Sequence, residues 1–406
     1  MSERETSVVT SERETPVAAS GRADVVVVGL GAMGSAALYQ LARSGARVIG
    51  LDRFAPPHAN GSSHGESRIT RQSVGEGRDY VPLVLASHRI WRELEAETGE
   101  DLLNACGVVV MAPAGGASHH GKRDFVATSI AGAEAFGIPH EVLSGVEVGA
   151  RFPQFLGLKG DEKAYYEPGG GYVRPERCIA AQLARAGELG AEIRTGTEVL
   201  AIAQDAEGVV VTTTGGTVRA AQAVVSAGAW TAPLLGRPFD RLLKVNRQLL
   251  HWYALDDTSA YGADAPVFIW MHGATDTDYL YGFPPMPGDP RLKVATEQYD
   301  GWTTADALDR VVRPEESAAM YDRHVAGRLA GATPQVVQAA ACLYTVTPDR
   351  GFIIDRHPVH DRVLVVAACS GHGFKHSAGI GEAVAQVMTT GRSTVDLTPF
   401  SLSRIT

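Results

Sequence analysis

The chain has 406 residues, of which 45% are hydrophobic and 20% are charged, and its formal net charge is −9. This length exceeds that of one small domain, and the composition is typical of a globular enzyme with a full hydrophobic core. The negative net charge argues against broad nucleic-acid binding, because attraction to phosphates needs a basic face. We therefore expect one large or two intermediate domains and no nucleic-acid partner.

The N-terminal stretch, the cysteines and one apolar run further restrict the class of protein that the sequence can encode. Residues 1–22 are polar and lack the basic start and apolar centre of a signal peptide, so we expect a disordered tail. The four cysteines are scattered and form no CxxC pair, which argues against a metal site or a disulfide framework. Residues 25–42 are apolar, but three glycines interrupt them and they are too short for a confident membrane span. These features indicate a cytoplasmic protein without a membrane partner.

Residues 23–53 carry the most informative local pattern of the chain. Four valines lead into Gly29, Gly31 and Gly34. An apolar helical run follows, and a second apolar run ends on Asp52. This spacing is typical of dinucleotide binding, because the glycines allow a tight turn, close approach of a pyrophosphate and close packing of the helix. Asp52 lies 18 residues after Gly34, near the spacing of a ribose-binding acid. A plain glycine-rich turn in a βαβ unit is the alternative.

The remaining elements are predicted from hydrophobic periodicity and turn residues. In the first half they are helices over 80–97, 125–136 and 175–189, strands over 107–111, 191–194, 198–202 and 223–227, a turn over 166–172 and a hairpin over 209–218. In the second half they are strands over 244–255, 268–271, 279–283, 292–295, 352–355 and 363–368, a helix over 313–330, and a glycine-rich loop over 370–379 that opens onto a helix. A βαβ unit followed by several short antiparallel strands indicates an α/β fold with a separate sheet that covers the substrate.

Longer motifs extend over most of the chain, from residue 24 to about 392. They are Gly29-x-Gly31-x-x-Gly34, Pro56-Pro57-His58-x-Asn60-Gly61-Ser62-x-His64-Gly65, Arg68-Ile69-x-Arg71, Gly75-Glu76-Gly77-Arg78-x-Tyr80-Val81-Pro82-Leu83, Ser226-x-Gly228-Ala229-Trp230, Cys342-x-Tyr344-Thr345-x-Thr347 and Ser370-Gly371-His372-Gly373-Phe374-Lys375. With these motifs in this order, the chain resembles the monomeric sarcosine oxidase and N-methyltryptophan oxidase family of FAD-dependent amine oxidases. The loop around His64 and the motif that begins at Cys342 are far more specific than the glycine turn.

The resemblance implies an α/β fold with a Rossmann-like FAD-binding domain and a second, mostly antiparallel-sheet substrate domain over the flavin. On this basis, residues 23–104, 171–234 and 340–400 are assigned to the FAD-binding domain. Residues 105–170 and 235–339 are assigned to the substrate domain. The resemblance also implies a monomer whose partners are a small-molecule amine substrate and O₂.

The resemblance further implies which residues hold FAD. A thioether between Cys342 and the flavin 8α-methyl group is expected. Without the resemblance, Cys342 would be interpreted as a buried structural thiol. Since the thiolate is the nucleophile in such an attachment, nearby positive charge is expected to lower its pKa. The expected cofactor-binding residues are Gly29, Gly31, Ala32, Met33, Gly34, Asp52, Arg53, Ser62, Ser63, Val199, Cys342, Gly371, Gly373 and Lys375.

The implied activity is oxidation of a secondary amine, such as an N-methyl amino acid. The amine carbon passes a hydride equivalent to the flavin, the imine product hydrolyses, and O₂ is reduced to H₂O₂. Arg71 and Lys375 are expected to bind the substrate carboxylate, since a guanidinium can form a bidentate pair. Lys293 is expected over the flavin, where a fixed cation stabilises developing superoxide charge. His64 and Arg68 are expected to add positive charge near the ring.

Two further positions shape the expected substrate cleft. Tyr281 is expected to line it. Counting from Lys293, Glu297 takes the position of the family's cleft histidine. A carboxylate there would repel a substrate carboxylate or attract a cationic group. This departure argues against sarcosine itself and favours a bulkier, basic or cyclic amine.

Two alternatives share parts of this pattern. A dehydrogenase with a dissociable nicotinamide cofactor would use the same glycine turn, but it gives no role to Cys342 or Lys293. A non-catalytic flavin-binding protein would hold FAD as a purely structural group. The amine oxidase is the leading hypothesis, because it gives a role to the glycine turn, the thiol and the cations together.

Overall fold

The structure is a computed structural model of the chain, and it describes residues 22–115, 123–273 and 275–405. The disordered tail predicted over 1–22 falls outside these ranges except for Arg22. In the described part of the chain, no helix is both long and apolar enough to cross a membrane. Those same ranges contain no group of three or more His, Cys, Asp or Glu side chains arranged to hold a metal ion.

The strands and helices have the following bounds. The strands up to residue 225 are β1 (Ala23–Val28), β2 (Val48–Leu51), β3 (Arg68–Thr70), β4 (Leu103–Asn104), β5 (Val108–Pro113), β6 (Glu141–Ser144), β7 (Glu162–Glu167), β8 (Gly171–Val173), β9 (Glu192–Arg194), β10 (Val199–Gln204), β11 (Val209–Thr213) and β12 (Gly216–Val225). The later strands are β13 (Lys244–Leu255), β14 (Val267–Met271), β15 (Tyr279–Phe283), β16 (Leu292–Ala295), β17 (Trp302–Thr303), β18 (Ala332–Val346), β19 (Ile353–Arg356) and β20 (Val363–Ala367). The helices are α1 (Ala32–Arg43), α2 (Val81–Thr98), α3 (Phe125–Phe136), α4 (Gly145–Arg151), α5 (Pro175–Glu188), α6 (Thr231–Leu235), α7 (Phe239–Leu242), α8 (Pro314–Met320) and α9 (Ser377–Thr390).

The first sheet contains the glycine turn. Its strand order is β10-β11-β12-β1-β2-β9, and β20 also pairs with β12. β1 is parallel to both β2 and β12, with Val28 level with Leu51 and Val225. The valines of β1 pack alternately into two apolar clusters on opposite faces of the sheet, which explains why this strand is apolar at successive positions. The carboxyl ends of β1, β2 and β12 therefore meet at one edge.

The second sheet has the order β17-β13-β16-β15-β14-β5-β7-β6, and β18 pairs along β13. Its pairings are antiparallel except for the parallel pair β14–β5. Phe155 packs edge to face on Phe268 and Trp270, within the apolar cluster of this sheet. A small third sheet has the order β3-β8-β4. The predicted fold class is confirmed, whereas the division of the chain into two domains stays a prediction.

One predicted helix is too long. The helix predicted over 313–330 corresponds to α8, which ends at Met320 and is followed by a π-helical turn over Tyr321–Val325. Gly327 then has a φ of 70°, a left-handed conformation that ends a helix. Leu329 afterwards forms a bridge with Phe155, so tertiary packing on the second sheet replaces further helical turns.

Two further predictions need correction, and one long strand was not predicted. The turn predicted over 166–172 is shorter, because β7 continues to Glu167 and β8 begins at Gly171. The second arm of the predicted hairpin and the strand predicted over 223–227 form one strand, β12. β18 matches no predicted element, since its alanine-rich centre has a low intrinsic strand propensity. Pairing along the whole of β13 is what makes this segment extended.

The glycine turn generates a stability prediction. A Cβ on Gly34 would lie 1.7 Å from the backbone oxygen of Gly29, whereas a Cβ on Gly187 in α5 would meet no atom within 4 Å. We expect Gly34→Ala to lower the free energy of unfolding by about 2–3 kcal/mol, because α1 must move away from the turn. Gly187→Ala is the matched control and should raise it by about 0.5–1 kcal/mol through helix propensity. Urea unfolding checks both, and equal effects of the two variants would contradict the assigned packing.

Candidate active site

Two adjoining cavities lie at the edge where β1, β2 and β12 end. The larger one has a volume of about 390 Å³ and is lined by these strand ends and by the loops that follow β2 and β20. The smaller one has a volume of about 70 Å³ and includes side chains from β13, β15 and β16 in its lining. Both cavities are lined by Arg68, Tyr344, Gly371 and Phe374. The arrangement therefore connects the nucleotide-binding edge of the first sheet with the surface of the second.

The glycine turn shapes one end of the larger cavity. Gly34 and Gly29 are in such close contact that α1 can pack against the turn only if residue 34 is glycine. Gly31 faces open space and lines the cavity. It is also the N-cap of α1, and no side chain caps the first N–H groups of the helix. Free N–H donors beside an open cavity are the arrangement that binds a pyrophosphate.

Asp52 and Arg53 line the same cavity one strand further along. The Asp52 carboxylate is buried and accepts hydrogen bonds from the backbone N–H groups of Leu30 at 2.7 Å and Phe54 at 2.8 Å. These bonds fix the carboxylate and leave lone pairs for a further donor, such as a ribose hydroxyl. Arg53 is half-exposed and forms an ion pair with Asp306 at 2.9 Å.

The structure brings most of the predicted cofactor-binding residues together. Those that line the larger cavity are Gly29, Gly31, Ala32, Met33, Asp52, Arg53, Ser62, Ser63, Val199, Gly371 and Gly373. Gly34 packs behind Gly29, and Lys375 lines the smaller cavity instead. Cys342 is not among the residues that line either cavity, but it contacts two that are: its Sγ is 3.5 Å from the backbone oxygen of Ser62 and 3.8 Å from Arg68 Nη2.

The surroundings of Cys342 differ from the expectation in one respect. Burial raises the pKa of the Cys342 thiol, and the Arg68 guanidinium opposes this increase only in part. The positive charge therefore acts on the Cys342 pKa in the expected direction, but burial outweighs it and the net pKa is raised. Arg68 is itself fixed by hydrogen bonds from its guanidinium to the backbone oxygens of Ser67 and Ser62, both at 2.8 Å.

Lys293 is buried against the turn at residues 65–67. Its ammonium donates hydrogen bonds to the backbone oxygens of Gly65 and Ser67 and, at 3.0 Å, to Ser67 Oγ. It also lies over the rings of Phe283 at 4.6 Å and Trp252 at 5.2 Å. Burial, with Arg68 nearby, lowers the pKa of Lys293 well below its usual range. The oxygens and ring faces around the ammonium are what allow a cation to stay here.

Arg71 and Lys375 both contact the buried carboxylate of Glu76, which is not among the predicted site residues. Glu76 accepts hydrogen bonds from Arg71 Nη2 at 2.9 Å and from Lys375 Nζ at 2.9 Å. Burial lowers the pKa of Lys375 to about 8, and the Glu76 charge opposes that decrease. Glu76 is part of a family motif quoted above, so its presence was visible in the sequence. Its pairing with Lys375 was not visible, because residues 76 and 375 are far apart in the chain.

His64 is near the cations but does not add to their charge. Burial, followed by the repulsion from Arg68 and Lys293, lowers the pKa of His64 to about 3. The imidazole is therefore neutral at neutral pH, and the expected positive charge on His64 is wrong. A neutral imidazole still offers one donor and one acceptor, and its Nε2 has no hydrogen-bond partner among the described residues.

Glu297 follows β16 and lines the smaller cavity together with Lys293 and Tyr281. Tyr281 lies level with Ala295, between the positions of Lys293 and Glu297. The Glu297 carboxylate accepts a hydrogen bond from the Tyr299 hydroxyl at 2.6 Å. Burial raises the pKa of Glu297 to about 7, and the Tyr299 hydrogen bond opposes this increase. The cleft thus holds one acid that titrates near neutral pH beside the buried Arg71 and Lys375.

These observations define a nucleotide cofactor site next to a small charged cleft. Comparison with protein families matches residues 24–387 to the family described as FAD dependent oxidoreductase. The match covers most of the chain, so this chain belongs to the FAD dependent oxidoreductase family.

Three named relatives cover nearly the whole chain. The monomeric sarcosine oxidase of Bacillus sp. (strain B-0618) is 36% identical over 384 residues, which is 94% of this chain and 96% of that protein. The monomeric sarcosine oxidase of Streptomyces avermitilis is 39% identical over 379 residues, or 91% and 94% of the two chains. The N-methyl-L-tryptophan oxidase of Yersinia pestis is 34% identical over 384 residues, or 94% and 99%. The family resemblance inferred from the motifs is confirmed.

Solved structures agree on the fold. An open form of a NikD variant, described as an unusual amino acid oxidase essential for nikkomycin biosynthesis, has a TM-score of 0.81 at 25% identity and covers 94% of this chain and 97% of its own. Glycine oxidase from Geobacillus kaustophilus has a TM-score of 0.72 at 24% identity and covers 95% and 99%. At this low identity, the second likeness concerns the fold alone.

The residues present fit an FAD. The glycine turn and the uncapped start of α1 suit the pyrophosphate, and Asp52 suits a ribose. The buried atoms His64 Nε2 and Thr345 Oγ1 have no hydrogen-bond partner among the described residues. Thr345 lines the larger cavity. A flavin ring carries nitrogen and oxygen atoms that can satisfy such groups.

The pKa of Glu297 generates a prediction about stability and pH. Because folding raises this pKa from 4.5 to about 7, ionised Glu297 destabilises the fold above pH 7 and has no such effect below about pH 4.5. We expect Glu297→Gln to raise the free energy of unfolding by about 2–3 kcal/mol at pH 8 and by much less at pH 5. Exposed Glu207→Gln is the control and should show no such trend. Urea unfolding between pH 5 and pH 8 checks this, and a constant difference across that range would contradict it.

Proposed function

We propose that this protein is an FAD-dependent oxidase of a secondary amino acid, with an N-methyl or a cyclic amine, and that O₂ is its electron acceptor. One observation carries the proposal: buried Arg71, Lys375 and Lys293 line a small cleft that adjoins the cavity suited to FAD. The names of the relatives, sarcosine oxidase and N-methyl-L-tryptophan oxidase, support the same class of substrate.

The cofactor would be held by the larger cavity, with the flavin ring towards Arg68, Tyr344 and Gly371. When bound, FAD supplies a two-electron acceptor for the amine carbon and passes the electrons on to O₂, giving H₂O₂. The imine that remains hydrolyses in water. The residues assigned to the FAD-binding domain are 23–104, 171–234 and 340–400, and those of the substrate domain are 105–170 and 235–339.

Arg71 and Lys375 would bind the substrate carboxylate. In the structure both cations are already paired with Glu76, which offsets one of their two charges. The substrate carboxylate would offset the other, so the buried group becomes neutral when substrate binds. This match favours a monoanionic carboxylate over a dicarboxylate. Tyr281 would line the cleft beside the bound amine, which must be neutral to release a hydride equivalent.

Lys293 and Arg68 would act on the developing negative charge during electron transfer. Both are fixed by backbone oxygens of the segment from Ser62 to Ser67 before any ligand arrives. Fixed cations need no reorganisation when charge develops, which is the basis of electrostatic catalysis. Neutral His64 would contribute a hydrogen bond rather than a charge.

The proposed function is tested by anaerobic titration of the purified, FAD-containing protein with N-methyl and cyclic amino acids. We expect at least one of them to bleach the flavin absorbance, and H₂O₂ to form when air is admitted. Bleaching that requires added NAD would favour a nicotinamide-dependent dehydrogenase. No bleaching with any amine would favour a non-catalytic flavin-binding protein.

The proposed thioether gives a prediction for Cys342 and Cys369. Cys342 Sγ would be the atom that holds the 8α-methyl carbon, and O₂ would take up the two electrons together with the thiol hydrogen and one methyl hydrogen, giving H₂O₂. We expect acid-precipitated wild-type protein to keep its yellow flavin and Cys342→Ser to release it. Cys369→Ser is the matched control, because Cys369 lines the larger cavity and should not be the attachment point. Flavin fluorescence on a denaturing gel reads the result, and release from Cys369→Ser instead would assign the wrong cysteine.

The proposed role of Lys293 gives a second prediction. Lys293→Met should still be reduced by substrate, but its reoxidation by O₂ should slow by about 10²–10³-fold, since a preorganised cation is lost. Arg291→Met is the control: the Arg291 guanidinium lies 6.0 Å from the Trp252 ring centroid, and it already pairs with Asp289 and Glu66. Its reoxidation should change by less than about threefold. Stopped-flow absorbance measures both half-reactions, and normal reoxidation of Lys293→Met would remove Lys293 from this role.

A further inference from the structure

The residues that hold Lys293, from Gly65 to Ser67, form a tight turn of an uncommon kind. The Ser67 N–H donates a hydrogen bond to the Gly65 oxygen at 2.8 Å, and Glu66 between them has a φ of 71°. A three-residue turn with a positive φ at its central residue is rare and strained, above all when that residue carries a side chain. Such a conformation persists only where neighbouring groups fix it.

Glu176 is one of the groups that fix this turn. A single oxygen of its carboxylate, Oε1, accepts hydrogen bonds from the backbone N–H groups of Gly65 at 2.6 Å and Glu66 at 3.1 Å. Glu176 lies in the first turn of α5, where a helix N-terminus favours a negatively charged side chain. α5 packs on α1, so the carboxylate ties the turn to the helices beside the first sheet.

The peptide group between Gly65 and Glu66 connects this carboxylate to the Lys293 ammonium. Its N–H donates a hydrogen bond to Glu176 Oε1, and its oxygen accepts one from Lys293 Nζ. Hydrogen bonds in such a chain polarise one another, and opposite charges at the two ends favour the same orientation of the peptide dipole. Glu176 can therefore act on Lys293 through one peptide group.

Lys293 needs negative charge nearby, because it is 3% exposed. Burial, followed by repulsion from Arg68, lowers the pKa of Lys293, and Glu176, followed by Glu66, opposes this decrease. The Glu66 side chain is 40% exposed, so solvent screens its charge, and its carboxylate already accepts a hydrogen bond from Trp252 Nε1 at 2.9 Å. Glu176 is thus the larger anionic influence on the buried ammonium.

We propose that Glu176 is a positioning residue for Lys293: its carboxylate orients the Gly65–Glu66 peptide and supplies the negative charge that keeps the buried ammonium in place. This inference rests on the proposed function, in which Lys293 acts on the reduction of O₂. Glu176 is not among the residues that line the two cavities of the site. Its loss should therefore slow the reaction with O₂ and leave reduction of the flavin by the amine nearly unchanged.

The first experiment measures the coupling of Glu176 to Lys293 without catalysis. Glu176→Gln removes the charge but keeps a side-chain oxygen that can accept the same two N–H bonds. In urea unfolding of the FAD-containing protein, this change should lower the folding equilibrium constant by about tenfold when Lys293 is present and by less than about threefold in the Lys293→Met background. Equal effects in the two backgrounds would overturn the inference.

Glu95→Gln is the matched control for this experiment. One oxygen of the Glu95 carboxylate likewise accepts hydrogen bonds from two consecutive N–H groups, those of Leu102 at 2.9 Å and Leu103 at 2.8 Å. Its effect on unfolding should be the same with and without Lys293.

The double variant Glu176→Gln/Lys293→Met covers the case in which Glu176→Gln does not fold. Without the Lys293 ammonium, the turn no longer has to hold a buried cation, so the double variant should fold and bind FAD. A double variant that also fails to fold would show that Glu176 is needed whether or not Lys293 is present, which would contradict the proposed role.

The second experiment separates the two half-reactions by stopped-flow absorbance. In Glu176→Gln, anaerobic reduction by the amine should change by less than about threefold, whereas reoxidation by O₂ should slow by at least about tenfold. Glu95→Gln should change neither. Normal reoxidation of Glu176→Gln, or equal slowing of both half-reactions, would overturn the inference. If no amine reduces the flavin, the proposed function fails, and protein reduced with dithionite still gives the reoxidation rates that test Glu176.

The pH profile of reoxidation tests the charge of Glu176 separately from its packing. The charged and titratable groups around Lys293 are Arg68, Glu66 and neutral His64 from the segment after β2, Glu176 from α5, Arg291 before β16 and Cys342 from β18. Because Glu176 opposes the decrease in the pKa of Lys293, its removal should lower this pKa further. The ammonium then loses its proton at lower pH, so the reoxidation rate should fall off at lower pH in Glu176→Gln than in the wild type. Identical profiles would contradict the proposed role.

Discussion

The burial of several cations around one cleft is the constraint on which the rest of the site depends. Arg71 is 2% exposed, and Lys293 and Lys375 are each 3% exposed. A buried charge is tolerated only where acceptors replace the lost water. Here the acceptors are the oxygens of Gly65 and Ser67 and the carboxylate of Glu76. They come from one short segment after β2, whereas the two lysines lie more than two hundred residues later. The site can therefore form only when the two large sheets are assembled.

The second sheet contributes a cation and an acid to the lining of the smaller cavity. Lys293 lies in β16 and Glu297 follows two residues after the end of that strand, and both line the smaller cavity. β13 contributes the aromatic ring of Trp252 on which Lys293 packs, and its partner strand β18 carries Cys342. The same antiparallel pair thus supports both the cleft and the proposed attachment point of the flavin.

Local sequence patterns were sufficient for the parts of the structure that depend on neighbours in the chain. The valine run, the glycine spacing and Asp52 predict the first βαβ unit, and the alternating residues of β13, β15 and β16 predict their bounds. β18 was missed, because alanines carry little strand signal and its conformation comes from pairing with β13.

Electrostatic properties were harder to predict, since they depend on burial. Nearby positive charge was expected to lower the pKa of Cys342, and His64 was expected to carry a positive charge. Burial instead raises the pKa of the Cys342 thiol and, together with Arg68 and Lys293, lowers the pKa of His64. Glu76 was visible in a motif, and only the fold shows that it joins Arg71 to Lys375. Which residues are near one another could be inferred from the family motifs, whereas their protonation states required the structure.

The backbone at residues 65 and 66 has a consequence for how this site can diverge among relatives. Gly65 and Glu66 have φ angles of 97° and 71°, and this path directs main-chain oxygens at the Lys293 ammonium. Main-chain oxygens are present whatever the side chain is, so mutation of a neighbouring side chain does not remove them. New specificities can thus arise at positions such as 297 while the oxygens that hold Lys293 stay in place, provided that the path of this turn is kept.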